Sequence, residues 1–166
     1  YAQRDAGNEI LRTEAMSRLA AKSSVPIVVT YPDALAVKVA AEAHLTSQTV
    51  EVKCGESVNI SELGHRLSDL GFRRVDYVYE PGDFALRGSI VDVFSYACEL
   101  PYRIDFFGDE VDSIRTFNIE TQLSDEKKES VSILPQMEDE AGQRVSFMRF
   151  MPDETLLVAK SLGYVS

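Results

Sequence analysis

The stretch Gly82–Phe117, GDFALRGSIVDVFSYACELPYRIDFFGDEVDSIRTF, constrains the fold more than any other, because it sets three β-type runs around two short turn segments. The first run, Ser89–Phe94, carries Ile90, Val91, Val93 and Phe94; it follows Gly88, which interrupts a longer run beginning near Asp83 and permits a bulge or bend. The second is Tyr102–Phe107. Residues 95–101 between them suit a hairpin loop, and Pro101 stands at a strand's first position without costing a ladder hydrogen bond. Only Gly108-Asp109, a tight-turn dipeptide, separates the third run, Glu110–Phe117. The pattern predicts an antiparallel meander.

Side chains alternate across a strand, so Ile104 and Phe106 face one way while Arg103, Asp105 and Phe107 face the other. Phe107 is the odd residue on the mixed face. Either a helix or loop covers it, or it stands exposed beside an arginine, as interface cores favour.

The flanks predict further elements. Asn8 caps a helix carrying Ile10, Leu11, Ala15, Met16 and Leu19. Residues 27–30, IVVT, read as a short strand buried on both faces, and Tyr31-Pro32-Asp33 opens a second helix. Thr49–Lys53 reads as a strand with Val50 and Val52 on one face. Asn59 and Glu62 have capping-box spacing ahead of a stripe of Leu63, Leu67 and Leu70, which Gly71 stops. Arg73–Glu80 alternates, with Val75, Tyr77 and Tyr79 opposed to Arg74, Asp76, Val78 and Glu80. Residues 120–140 hold seven acids against Lys127 and Lys128 and read as a solvated connection. Beyond it, Val131–Leu134 reads as a strand ended by Pro135, and Thr155–Ala159 as a strand returning to the first domain. The expected fold is α+β, an antiparallel-rich sheet with a covering helix, attached to part of an α/β parallel-sheet domain. The expected domains are residues 1–48, 49–135 and 136–166.

Composition excludes several functions. The 166 residues suffice for one sizeable domain or two small ones, and the opening YAQRD suggests a fragment of something longer. No apolar run approaches a membrane span, so no membrane partner is expected. Cys54 and Cys98 form neither a metal-ligand spacing nor a disulfide framework, which fits a cytoplasmic compartment. A net charge of −10 with no basic stripe argues against nonspecific DNA binding and for a protein partner. No G-x-x-x-x-G-K-[ST] phosphate loop occurs, so the chain has no such route to nucleotide hydrolysis. His44 and His65 lack a nearby nucleophile, and Asp105, Asp109, Glu110 and Asp112 lie around a turn without a calcium-loop pattern. No catalytic residue, cofactor or metal is expected.

The order LGFRR, GDFALRGSIVDVF, LPYRIDFFGDEVDSIRTFNIETQLS and ILP closely resembles the UvrB-like region near the start of the transcription-repair coupling factors, the Mfd family. UvrB itself is similar over the shorter RG and FFGDE portions. The resemblance is strong over residues 61–135. It implies that residues 49–135 are a UvrA-docking module and that the flanks belong to a UvrB-like first domain. It further implies that the Arg of the RG motif, the Arg of PYR and the second Phe of the FF pair carry the docking: Arg87, Arg103 and Phe107. Arginine supplies a planar fork for carboxylates, and an aromatic supplies apolar area at low entropy cost. The alternative for Arg87 is an internal pairing with Asp92 or Asp83. For the parent protein the resemblance implies an ATP- and magnesium-dependent DNA translocase that meets RNA polymerase and DNA through other domains and recruits UvrA in nucleotide excision repair. The alternatives are the equivalent region of UvrB, or a surface masked by other domains of the parent chain.

Overall fold

The computed structural model describes residues 47–136 and 144–151 without interruption, together with 11, 15, 16, 19, 27–31, 35, 36, 38–40, 154–156 and 158. The chain divides into two units, one comprising residues 1–14 and 48–136 and the other residues 15–47 and 137–166. In chain order the elements are β1 (Lys38–Ala40), β2 (Val50–Lys53), α1 (Ile60–Asp69), β3 (Arg73–Arg74), β4 (Asp83–Arg87), β5 (Ile90–Val93), β6 (Tyr102–Phe107), β7 (Glu110–Phe117), β8 (Ser124–Lys128), β9 (Ser130–Ile133) and β10 (Arg144–Ser146), followed by a 3-10 turn, Phe147–Phe150.

The first unit is α+β. Strands β3 to β8 make a six-stranded sheet in sequence order. Only the β3–β4 pair is parallel; β4 through β8 form the antiparallel meander. Gly88, at φ +61°, does not bulge a long strand: with Ser89 it closes a two-residue hairpin in which Arg87 pairs with Ile90. A left-handed backbone at that position is what such turns require, and glycine adopts it without strain. Strands β2 and β9 form a separate antiparallel pair, with Val50 opposite Ile133 and Lys53 opposite Ser130.

Helix α1 begins where Asn59 Oδ1 accepts hydrogen bonds from the Ser61 and Glu62 backbone N–H groups, at 3.0 and 3.1 Å. That cap satisfies two of the donors a helix start leaves orphaned. Leu63 and Leu67, one turn apart, are buried. At Gly64 a Cβ would lie 2.8 Å from Leu86 Cδ1, so the absent side chain lets the helix lie close against β4. The main core joins Leu63 and Leu67 to Phe84, Val91, Val93, Ile104, Phe106, Val111 and Ile114 of the sheet and to Val50, Val52, Val131 and Ile133 of the β2–β9 pair. A smaller cluster of Val78, Ala85, Phe94, Cys98 and Phe117 sits on the opposite face.

The region 73–80 is not the alternating strand its pattern predicts. Only Arg73 and Arg74 pair with β4; Val78 is buried while Tyr77 and Tyr79 are exposed. The buried Asp83 carboxylate accounts for the bend, because Oδ2 accepts from the Tyr79 and Glu80 N–H groups (3.3 and 3.1 Å) and Oδ1 accepts from Arg73 Nε (2.9 Å). A side chain offering the backbone an alternative to a ladder ends the strand. The acidic connection also departs from expectation, since Ser124–Lys128 forms β8, the charged edge of the sheet. Charge at an edge is compatible with a ladder and protects it from further pairing.

In the second unit β1 pairs antiparallel with β10, Val39 opposite Val145. Positions 15, 16 and 19 are helical, with Met16 and Leu19 buried; Asn8 and Ile10 lie outside the described residues, as do Pro32 and Asp33. Residues 27–30 are not a buried strand but irregular and exposed. The described positions within 155–159 are irregular too, with Leu156 and Val158 exposed. In both cases no strand among the described residues pairs with them, and an apolar run without a ladder partner does not form a buried strand.

Candidate protein-docking face

Register assigns the second face of the six-stranded sheet residue by residue. One row across it runs Ala85, Asp92, Arg103, Arg115 and Lys127; the next runs Arg87, Ile90, Asp105 and Ser113. Beyond a register shift after Asp105, Phe107 pairs with Glu110 at the corner of the sheet. Arg87, Arg103 and Phe107 therefore occupy three successive rows of one face, each row about 7 Å from the next.

Arg87 and Arg103 do not sit on adjacent strands. Strand β5 lies between them and supplies Asp92, whose side chain is 1% exposed. Asp92 Oδ1 accepts from Arg103 Nε at 2.7 Å, and Oδ2 accepts from Arg103 Nη2 at 2.9 Å and from Arg87 Nη2. One carboxylate thus holds two guanidinium groups. Asp105 repeats the device on a smaller scale, accepting from Arg115 Nη2 and from the Ser113 hydroxyl.

The two arginines differ in how much they retain for a partner. Arg103 is 14% exposed. Besides Asp92, its Nη1 donates to the Gln122 backbone oxygen at 3.1 Å and its Nη2 to Gln122 Oε1 at 3.3 Å. Its guanidinium carbon lies 4.3 Å from the Phe117 ring centroid. The hydrogen bond to Asp92, ahead of the electrostatic attraction of Asp92 and Asp105, holds the Arg103 pKa above its ordinary value against the opposing effect of burial. Arg87 is 36% exposed, makes one described hydrogen bond, to Asp92, and lies over the Tyr77 ring, its guanidinium carbon 5.2 Å from the centroid. A shallow groove beside it is lined by Arg74, Val75, Asp76, Tyr77 and Leu86.

Phe107 is 83% exposed, so no described loop or helix covers it. The alternation of 102–107 placed it on this face; what sequence reading missed is the loop that delivers Gln122. Asn118 Oδ1 accepts from the Glu120 and Thr121 N–H groups, and Gln122 N–H donates to the Asn118 oxygen at 2.8 Å. This turn holds Gln122 at φ +59°, the one positive φ outside glycine among the described residues. An Asn that closes its own turn is the available signal.

Among the described residues no three His, Cys, Asp or Glu side chains cluster to hold a metal ion, and no helix is long and apolar enough to cross a membrane. The arrangement can present one half-free cation, an aromatic ring and a rigid charged floor to another protein.

A family model described as the UvrB interaction domain matches residues 50–138, just over half of the chain. The chain is also similar to the transcription-repair-coupling factors of Escherichia coli (38% identical over 98 residues, 59% of this chain and 8% of the relative), Haemophilus influenzae (36% over 115 residues, 68% and 10%) and Bacillus subtilis (35% over 127 residues, 76% and 11%). The matched segment spans about a tenth of the length of these relatives.

Proposed function

We propose, from the premise that this chain belongs to the UvrB interaction domain family, that its first unit is the surface by which a transcription-repair coupling factor engages UvrA. The single observation that carries the reading is the conjunction on one face of an uncovered Phe107 with a charged floor built on Asp92. An exposed aromatic on the same face as an oriented arginine is compatible with an interface hot spot. A rim cation at Arg87 steers and registers an acidic partner segment, while the ring supplies the apolar contact.

On this reading the chain is a non-enzymatic interaction module. In the whole protein it recruits UvrA to stalled RNA polymerase during nucleotide excision repair, while ATP, magnesium and DNA belong to motor domains elsewhere in the parent.

Calorimetry with purified UvrA tests the proposal. Wild-type chain binds, and Arg87→Ala weakens binding by at least about five-fold, equivalent to roughly 1 kcal/mol. A folded wild-type chain that shows no heat of binding and no co-elution with UvrA refutes it. The net charge of −10 further implies no association with labelled duplex DNA at moderate salt.

A further inference from the structure

The two arginines on Asp92 do not have the same task. Arginine carries five N–H donors. Four of those on Arg103 are committed inside the chain, to the two Asp92 oxygens and the two Gln122 oxygens. One face of its guanidinium is stacked on Phe117, and the side chain is 14% exposed. Gln122 is held at φ +59° to make its part of this clamp. A non-glycine residue kept in that region is maintained by the structure around it. Arg87, by contrast, gives one described donor to the same carboxylate and is 36% exposed.

We infer that Arg103 is a positioning residue and Arg87 the cation that meets the partner: Arg103 occupies both oxygens of the buried Asp92 carboxylate, so that Asp92 holds Arg87 by a single Nη2 donor and does not close its whole fork inward. The inference rests on the docking reading above and deepens it. Its physical basis is competition for one acceptor. Asp92 is buried, and a buried carboxylate that loses one cation tightens on the other. Without Arg103, both Asp92 oxygens are left to Arg87, which closes onto them as a fork and withdraws its donors from the surface. Removing Asp92 and Arg103 together removes the pull and leaves Arg87 over Tyr77, free to engage a partner carboxylate.

The test compares wild type, R103Q and the pair D92N/R103Q, each confirmed folded by circular dichroism. Two readouts are used: phenylglyoxal labelling of arginines mapped by mass spectrometry, and UvrA affinity by calorimetry. In wild type Arg87 is labelled and Arg103 is spared. In R103Q the labelling of Arg87 slows and UvrA affinity falls about ten-fold. In D92N/R103Q the labelling of Arg87 recovers and affinity returns to within about two-fold of wild type. A merely structural role for Arg103 would not produce recovery on removing a second charged group. The inference is overturned if Arg103 is labelled in wild type, if R103Q leaves Arg87 labelling unchanged, or if the pair binds UvrA as poorly as R103Q while Arg87 is fully reactive. Should R103Q fail to fold, Arg87 in the pair must label at least as fast as in wild type. Absence of UvrA binding by wild type refutes the docking reading alone, because the labelling pattern is read without UvrA.

Discussion

The two faces of the six-stranded sheet are made by the same strands one residue out of step, yet they are held together by different physics. Phe84, Val91, Val93, Ile104, Phe106, Val111 and Ile114 point toward α1 and the β2–β9 pair, and their contribution follows from apolar area removed from water. Asp92, Arg103, Asp105 and Arg115 point the other way, and their contribution follows from partners meeting at set distances. Apolar packing degrades gradually when a methylene is lost. A buried ion pair does not, because the surviving partner stays desolvated without compensation. One face therefore supplies stability that tolerates substitution. The other supplies a fixed arrangement of charges, the feature on which the docking proposal rests.

The comparison breaks first at Asp92. Asp92→Ala leaves Arg87 and Arg103 without their shared acceptor and should lower stability by about 3–5 kcal/mol. Urea midpoints decide this, and a loss below about 1 kcal/mol would mean that the charged face is not held by its pairs. Leu67→Ala tests the other face. Leu67 is fully buried in the last turn of α1, and its truncation should cost about 3 kcal/mol while leaving UvrA affinity unchanged wherever the variant is folded. An unchanged midpoint would show that α1 does not cover the sheet.

Phe107→Ala should separate the faces most cleanly, because an exposed ring contributes nothing to the core. Stability should stay within about 0.5 kcal/mol while UvrA affinity falls by about 1–2 kcal/mol. Melting curves beside calorimetry read both, and a large loss of stability with intact binding would reverse the assignment. The smallest effect belongs to the sheet edge. Lys128 Nζ lies 2.6 Å from Glu126 Oε2, and that hydrogen bond, with the charge attraction, holds the Glu126 carboxyl below its ordinary value. Its contribution is present above the unfolded value and lost as pH falls through the lower folded one. Lys128→Ala should return the carboxyl to the ordinary range in an NMR titration without a measurable change in melting temperature. Arg103, whose pKa is raised, keeps its contribution at every pH below its unfolded value, so the Asp92 clamp gives no pH dependence near neutrality from its arginine.

The elements legible in advance were those whose signal is local. The Gly108-Asp109 turn, the Asn59 cap with Leu63 and Leu67, and the Val50/Val52 alternation each state their structure within a few residues, and each is observed. Asp92 was legible only as one of two alternatives for Arg87, because pairing across β5 depends on register that no single strand encodes. Tyr77 and Tyr79 were misread for a similar reason. Their alternation is real, but Asp83, several residues on, captures the backbone and turns it. Strand β8 was hidden by its composition, since Ser-Asp-Glu-Lys-Lys has little strand propensity and acquires its ladder from β7.

Strands β2 and β9 bracket residues 50–133 side by side, about 5 Å apart, with Val50 opposite Ile133 at the outer end. Tension applied across the two ends therefore loads the rungs of this pair in sequence rather than together, as a zipper is opened, with Val50–Ile133 first and Lys53–Ser130 last. On the outgoing side the pull first reaches Leu134, whose N–H donates to the buried Ser95 hydroxyl oxygen at 2.9 Å and whose carbonyl accepts from Tyr96 N–H at 3.0 Å. Those two bonds tie the exit to the loop after β5 and bear the load before the zipper does. Under a pull across those ends, this staple sets the force at which residues 50–133 begin to peel, and residues 55–58, bonded to Asp109 and Val111, carry the load on toward the β6–β7 turn beside Phe107.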